Sequence, residues 1–169
     1  MKLGIAVIYQ EFSLVPYLTV AENIFYGREI SKMGVRSVRQ MNLEAEKFCR
    51  EMGVDIDVKA KVCGLGVAYQ QIVEILKAVS KNAKFIIMDE PTAPLTLKET
   101  EIFFRIIRKL KEIPGMEKVT LTTNGVLLAP FAEALYQAGI DGVNVSLDTL
   151  NEETYRKITG FDKLAQVLE

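Results

Sequence analysis

Apolar and polar positions along this chain switch between two periods. Short unbroken apolar runs, Leu3 to Tyr9 and Phe85 to Met88, end abruptly in polar residues. Runs of that length and bounding predict strands buried on both faces of a parallel sheet. Val119-Thr120-Leu121-Thr122-Thr123 predicts a third strand, closed by the turn pair Asn124-Gly125, and Gly142-Val143-Asn144-Val145-Ser146-Leu147-Asp148 a fourth. Between the strands the apolar residues fall at helical spacing. Ile72, Ile75, Leu76 and Val79 share one face of a helix from about Val67 to Ser80. Ile102, Phe103, Ile106, Ile107 and Leu110 share a face of a longer one, ended by Pro114-Gly115.

Start and stop signals bound the remaining helices. Thr19 with Glu22 and Thr96 with Glu99 have capping-box spacing. Asn42 is expected to cap a helix running to about Met52, with Ala45, Phe48, Cys49 and Met52 inward and Gly53 as its stop. A helix from about Pro130 to Ala138 should end at Gly139, Asn151 should cap a short one, and another begins near Phe161. Arg28 to Gln40 shows no strong periodicity and reads as loop. Strand and helix alternating at this spacing is βαβ construction with right-handed crossovers. The expected fold is α/β: a four-stranded, all-parallel sheet in sequential order with packed helices. Residues 1–18 and 81–169 would form the core. The mostly helical segment 19–80, longer than one crossover needs, would be an inserted helical subdomain.

Open α/β sheets place ligands at the C-terminal edges of their strands. The polar residues there are Gln10, Asp89 with Glu90, Thr123 with Asn124, and Ser146 with Asp148. The neighbouring carboxylates Asp89 and Glu90 suit a Mg²⁺ ion or the polarisation of a water. They equally suit the plain ending of a strand before the next helix.

Composition narrows the chemistry. Of 169 residues, 49% are hydrophobic and 25% charged, an ordinary globular balance. A net charge of -1 makes no electrostatic case for nucleic acid or an anionic membrane. No apolar run has membrane-span length and no signal-peptide core opens the chain, so cytoplasmic expression is expected. There is no histidine, which removes the commonest general base and metal ligand. The only cysteines, Cys49 and Cys63, are too few for an all-cysteine iron–sulfur cluster, and a metal site is not expected.

Two family resemblances meet in these residues. Ile8-Tyr9-Gln10-Glu11-Phe12-Ser13-Leu14-Val15-Pro16 resembles the Q-loop region of a sugar-import ABC-transporter ATPase, and Phe85 to Ala93 resembles its Walker B strand. The resemblance covers residues 1 to roughly 110. It implies that Gln10 contacts metal and attacking water, that Asp89 is the metal-site acid and that Glu90 polarises water. Against it, no G-x-x-x-x-G-K-[ST] loop occurs, and the family's P-loop would stand before Met1. The signature stretch reads Leu65-Gly66-Val67-Ala68-Tyr69, and the switch histidine is missing. From roughly 113 onwards the chain is similar to the radical SAM cyclase of molybdenum-cofactor biosynthesis. Pro114 to Leu128, Ala138 to Leu150 and Ile158-Thr159-Gly160 carry that likeness. It implies that Thr123, Asn124 and Ser146 line a SAM pocket, although the family's CxxxCxxC motif is absent.

Both families place a buried strand ending in Glu-Pro before a helix leading to a further parallel strand. Glu90-Pro91 fits either, so the junction is expected within about 100–113. The expectation is an engineered chimera: a scaffold with no autonomous function, no cofactor and no catalysis. Gln10, Asp89 and Glu90 would then be vestigial, as would Thr123, Asn124 and Ser146. The alternatives are weak residual nucleotide–Mg²⁺ binding or ATPase activity at the ABC-like strand ends, and residual SAM or small-anion binding. No partner is required, but the apolar edge strands leave a homodimer open.

Overall fold

The computed structural model describes residues 4–9, 11–32, 35–91 and 96–168. Its strands and helices run in the order β1 (Ile5–Ile8), α1 (Val20–Ile24), β2 (Ser31–Lys32), β3 (Val35–Arg36), α2 (Val38–Glu51), α3 (Val67–Ser80), β4 (Phe85–Asp89), α4 (Leu97–Glu112), β5 (Lys118–Thr123), α5 (Leu128–Ala138), β6 (Gly142–Val145), α6 (Glu152–Thr159) and α7 (Leu164–Leu168). The four long-range strands form one parallel sheet in the order β1-β4-β5-β6. This is the sequential all-parallel sheet that the apolar runs predict. Register aligns Ala6 with Ile86 and Val119, and Ile8 with Met88 and Leu121.

Local chemistry sets the helix ends. Both predicted capping boxes form, with the Thr19 and Thr96 hydroxyls accepting from the Glu22 and Glu99 N–H groups, and each glutamate reaching back to the cap. Gly139 and Gly160 close α5 and α6 in the left-handed conformation. Three local features differ from expectation. Helix α2 starts at Val38 rather than at Asn42, capped by Ser37, whose hydroxyl accepts from the Gln40 N–H. Part of the stretch read as loop is the antiparallel β2–β3 hairpin. Helix α5 begins at Leu128, because Pro130 in its first turn gives up an N–H that has no intrahelical partner there.

The core lies on one side of the sheet. Ala6, Ile8, Ile86, Met88, Val119 and Leu121 point to that side and merge with the buried faces of α1 to α5 into one cluster. Burying side chains such as Ile86, Met88 and Leu110 completely stabilises the fold by about 1.5–3 kcal/mol each. Phe104 of α4 meets Phe131 of α5 edge-on, 6.0 Å between centroids. The expectation of strands buried on both faces is wrong: Ile5, Val7 and Ile87 alternate with the core residues and are exposed. Right-handed crossovers between strands laid down in one direction carry every connecting helix to the same side.

Candidate strand-end site

Strand β4 delivers its two carboxylates to different places. Asp89, the last residue of the strand, lies opposite Thr122 in the β5 register and lines an open cavity of about 380 Å³ with Tyr9, Glu11, Phe12 and Ser13. The next residue, Glu90, adopts the left-handed conformation at φ 47°. Its N–H donates to the Thr122 carbonyl at 2.9 Å, and its carboxylate accepts the Asn124 N–H at 2.6 Å. Glu90 is thereby turned towards β5, and it lines a second cavity of about 500 Å³. Burial pushes its carboxyl above the usual carboxylate range; the Asn124 N–H pulls the other way, the charge of Asp89 raises it further and the Thr123 hydroxyl lowers it.

Thr123 and Asn124 reach the same cavity because the turn after β5 is held tightly. Thr123 Oγ1 accepts from the Gly125 N–H, and Asn124 Oδ1 accepts from the Val126 N–H. Gly125 sits at φ 82°, and a Cβ there would lie 2.9 Å from Val167 Cγ1. The turn therefore packs directly under α7, whose Gln166 amide donates to the Val126 carbonyl. Helices α6 and α7 bring Tyr155, Thr159, Phe161 and Lys163 over the cavity. Sequence patterns mark none of these four as site residues. Tyr155 has the only usable signal, an aromatic on the buried face of an amphipathic helix.

The predicted residues are thus only partly united. Glu90, Thr123 and Asn124 converge on one cavity, and Asp89 opens onto the other. Ser146 uses its N–H to bond the Thr123 carbonyl at 2.8 Å, while its side chain is exposed and lines neither cavity. Gln10 lies outside the described residues. Among the described residues, no cluster of three or more His, Cys, Asp or Glu side chains could hold a metal ion.

The sequence model of the radical SAM superfamily matches residues 31–169. The chain belongs to the radical SAM superfamily. Its thiols do not fit the iron–sulfur cluster of that chemistry. Cys49 is buried in α2, where desolvation pushes it up to about 11, and Cys63 is exposed in the separate turn Val62–Gly64.

The same chain is similar to ATP-binding proteins of sugar import. It is 50% identical over 111 residues to ribose import ATP-binding protein RbsA 2 of Streptomyces coelicolor, covering 66% of this chain and 22% of that protein. It is 46% identical over 110 residues to xylose import ATP-binding protein XylG of Photobacterium profundum, covering 65% and 22%. The radical SAM match thus shares one chain with a likeness to proteins of which it spans about a fifth. Among solved structures, it resembles the ATP-binding cassette MJ0796 in a dimeric, post-hydrolysis state bound to ADP and Pi. The TM-score is 0.57 at 27% identity, over 75% of this chain and 55% of that one. A second neighbour, cbiO1 from Clostridium perfringens, shares the fold at a TM-score of 0.60 and 16% identity, over 77% and 51%. Both resemblances read from the sequence are borne out at the level of ABC ATPase and radical SAM superfamily, although the radical SAM match starts at residue 31 rather than near 113. No helix among the described residues is long and apolar enough to cross a membrane.

Proposed function

We propose that this chain is a folded scaffold without catalysis, an engineered chimera of ABC-ATPase-like and radical-SAM-like fragments joined within α4. The observation that carries this reading is the use of Glu90. The acid that would polarise water in an ATPase instead holds the β5 turn through the Asn124 N–H. A carboxylate occupied in that way, raised by burial and aimed into a different cavity from Asp89, is poorly placed to act with it. The signature positions Gly66, Val67 and Ala68 and the lack of histidine point the same way for ATP. The two unsuited thiols point that way for reductive SAM chemistry. Two free thiols suit a reducing compartment such as the cytoplasm. No cofactor or second chain is required for folding, and self-pairing through the β1 and β6 edges is compatible with it.

One observation favours the second reading, residual nucleotide–Mg²⁺ binding. Asp89 and Glu11 flank the same open cavity, and two carboxylates there can hold a hydrated Mg²⁺. The experiment is a thermal melt with and without ATP–Mg²⁺, with SAM as a parallel arm, because a ligand of the native state must raise the melting temperature. A cooperative melt with no shift in either arm is expected. A saturable ATP shift lost in Asp89→Asn would overturn the scaffold reading.

A further inference from the structure

All-parallel sheets are normally covered on both faces. Here α1 to α5 bury one face, and among the described residues the other stays bare. That second face carries Ile5, Val7, Phe85 and Ile87, with Ile5 at 44%, Val7 at 41% and Ile87 at 37% exposure. Register makes them one patch: Ile5 lies beside Phe85, and Val7 beside Ile87. Thr120, Thr122 and Asn144 continue the face on β5 and β6, and among the described residues its charges sit at the ends. Lys118 shares the first row, opposite Phe85, at the N-terminal end of the strands. Asp89 closes the patch at the C-terminal end.

This arrangement is complementary to itself in one orientation. Rotation about a two-fold axis across the strands lays two such faces together with strands antiparallel. Each Asp89 end then meets a Lys118 end, twice over. An axis along the strands would instead set Asp89 beside Asp89 and Lys118 beside Lys118. We propose that the bare face is occupied by a second copy of this chain, stacked sheet on sheet with strands antiparallel. Aligned sheets pack this way about 10 Å apart through interdigitated apolar side chains. The surface is distinct from the β1 and β6 edges, and the proposal does not depend on whether the chain is catalytic.

Four strands at about 4.8 Å spacing and five residues at about 3.3 Å rise cover roughly 320 Å² on each copy. That is small for a stable complex, so association should be weak and monomer and dimer should exchange freely.

The test is sedimentation velocity on the 169-residue chain in nucleotide-free buffer, from about 5 to about 500 µM, the range set by so small an interface. The mass should rise with concentration from 19.0 kDa towards twice that value. Ile87→Lys, at an exposed position, should hold it at the monomer value while the melting curve stays cooperative. Asp89→Lys and Lys118→Asp should each weaken association about tenfold by setting like charges together. The double reversal should restore it, an outcome that a folding defect cannot mimic. A mass fixed at 19.0 kDa throughout would overturn the proposal. So would a dimer indifferent to Ile87→Lys, which would mean edge pairing, or a double reversal that restores nothing.

Discussion

Asp141 ties the end of one half of the chain to the start of the other, and removing it should loosen that joint measurably. Its carboxylate accepts Lys111 Nζ at 2.8 and 2.7 Å and the Val119 N–H at 2.7 Å. Lys111 belongs to the last turn of α4, where the two ancestries are proposed to meet, and Val119 is a fully buried residue of β5. The ion pair is 28% exposed on each side, so solvent screening keeps it near about 1 kcal/mol. The charge-assisted bond from Val119 adds about 1.5 kcal/mol, because its loss strands a backbone donor at the start of a core strand. Asp141→Ala should therefore cost about 2.5 kcal/mol, or roughly 7 °C in a domain of this size. Asp141→Asn keeps an acceptor for Val119 and should cost only about 1 kcal/mol.

The pH dependence supplies a second check on the same residue. Desolvation raises the Asp141 carboxyl, but the Lys111 and Val119 bonds and the charge of Lys118 outweigh it and hold the group below its ordinary 3.8. A depressed carboxyl binds fewer protons folded than unfolded. Its contribution is complete above 3.8 and disappears as pH falls through the lower folded value. Urea titrations at neutral and acid pH on the wild type, Asp141→Asn, Lys111→Met and the double variant form a complete cycle. Equal stability of wild type and Asp141→Ala at neutral pH would refute the reasoning, as would a gap that fails to narrow in acid.

Three further outcomes are expected. Met88→Ala, at a fully buried position, should lose about 3 kcal/mol in urea unfolding, whereas Ile87→Ala on the bare face should lose less than about 1 kcal/mol; equal losses would contradict one-sided burial. Glu90 is raised by burial and so binds more protons folded than unfolded; wild-type stability relative to Glu90→Gln should fall as pH climbs from 4.5 through the folded value and then level off, and a rising difference would reverse the assignment. Gly125→Ala should lower the melting temperature by several degrees, since φ 82° costs a side chain about 1–2 kcal/mol and the new Cβ meets Val167; an unchanged melt would mean that α7 does not pack on the turn.

Much of the backbone was legible because period and punctuation agree. The β-branched run at Val119 to Thr123, the threonine capping boxes and Gly139 each carry a local cause for the element they make. Only the start of helix α2 departs from the pattern, because Asn42 looks like a cap although Ser37 with Gln40 offers the same kind of signal earlier. Four apolar residues in a row, Phe85 to Met88, cannot tell one buried face from two. That distinction belongs to topology, since only the direction in which strands are added decides where the helices go. At the site, Glu90, Thr123 and Asn124 were visible as polar strand ends. The carboxylate's bond to the Asn124 N–H depends on a positive φ that nothing in Asp-Glu-Pro announces. Tyr155, Phe161 and Lys163 join them only because α6 and α7 fold back over the turn.

The bare face and the divided acids follow from one cause. A sheet built by reversing direction opens a crevice between helices that leave to opposite sides, and ligands settle there. A sheet built in one direction has no such crevice. On the side of β1 and β4, Asp89 faces an open cavity with Tyr9, Glu11, Phe12 and Ser13. The edge near β5 is roofed by the later helices, and there the cavity is larger and lined by Glu90, Thr123, Asn124 and Lys163. Any ligand of this chain should therefore be sought under α6 and α7. The Glu90 side already has walls, a floor and a carboxyl raised by burial.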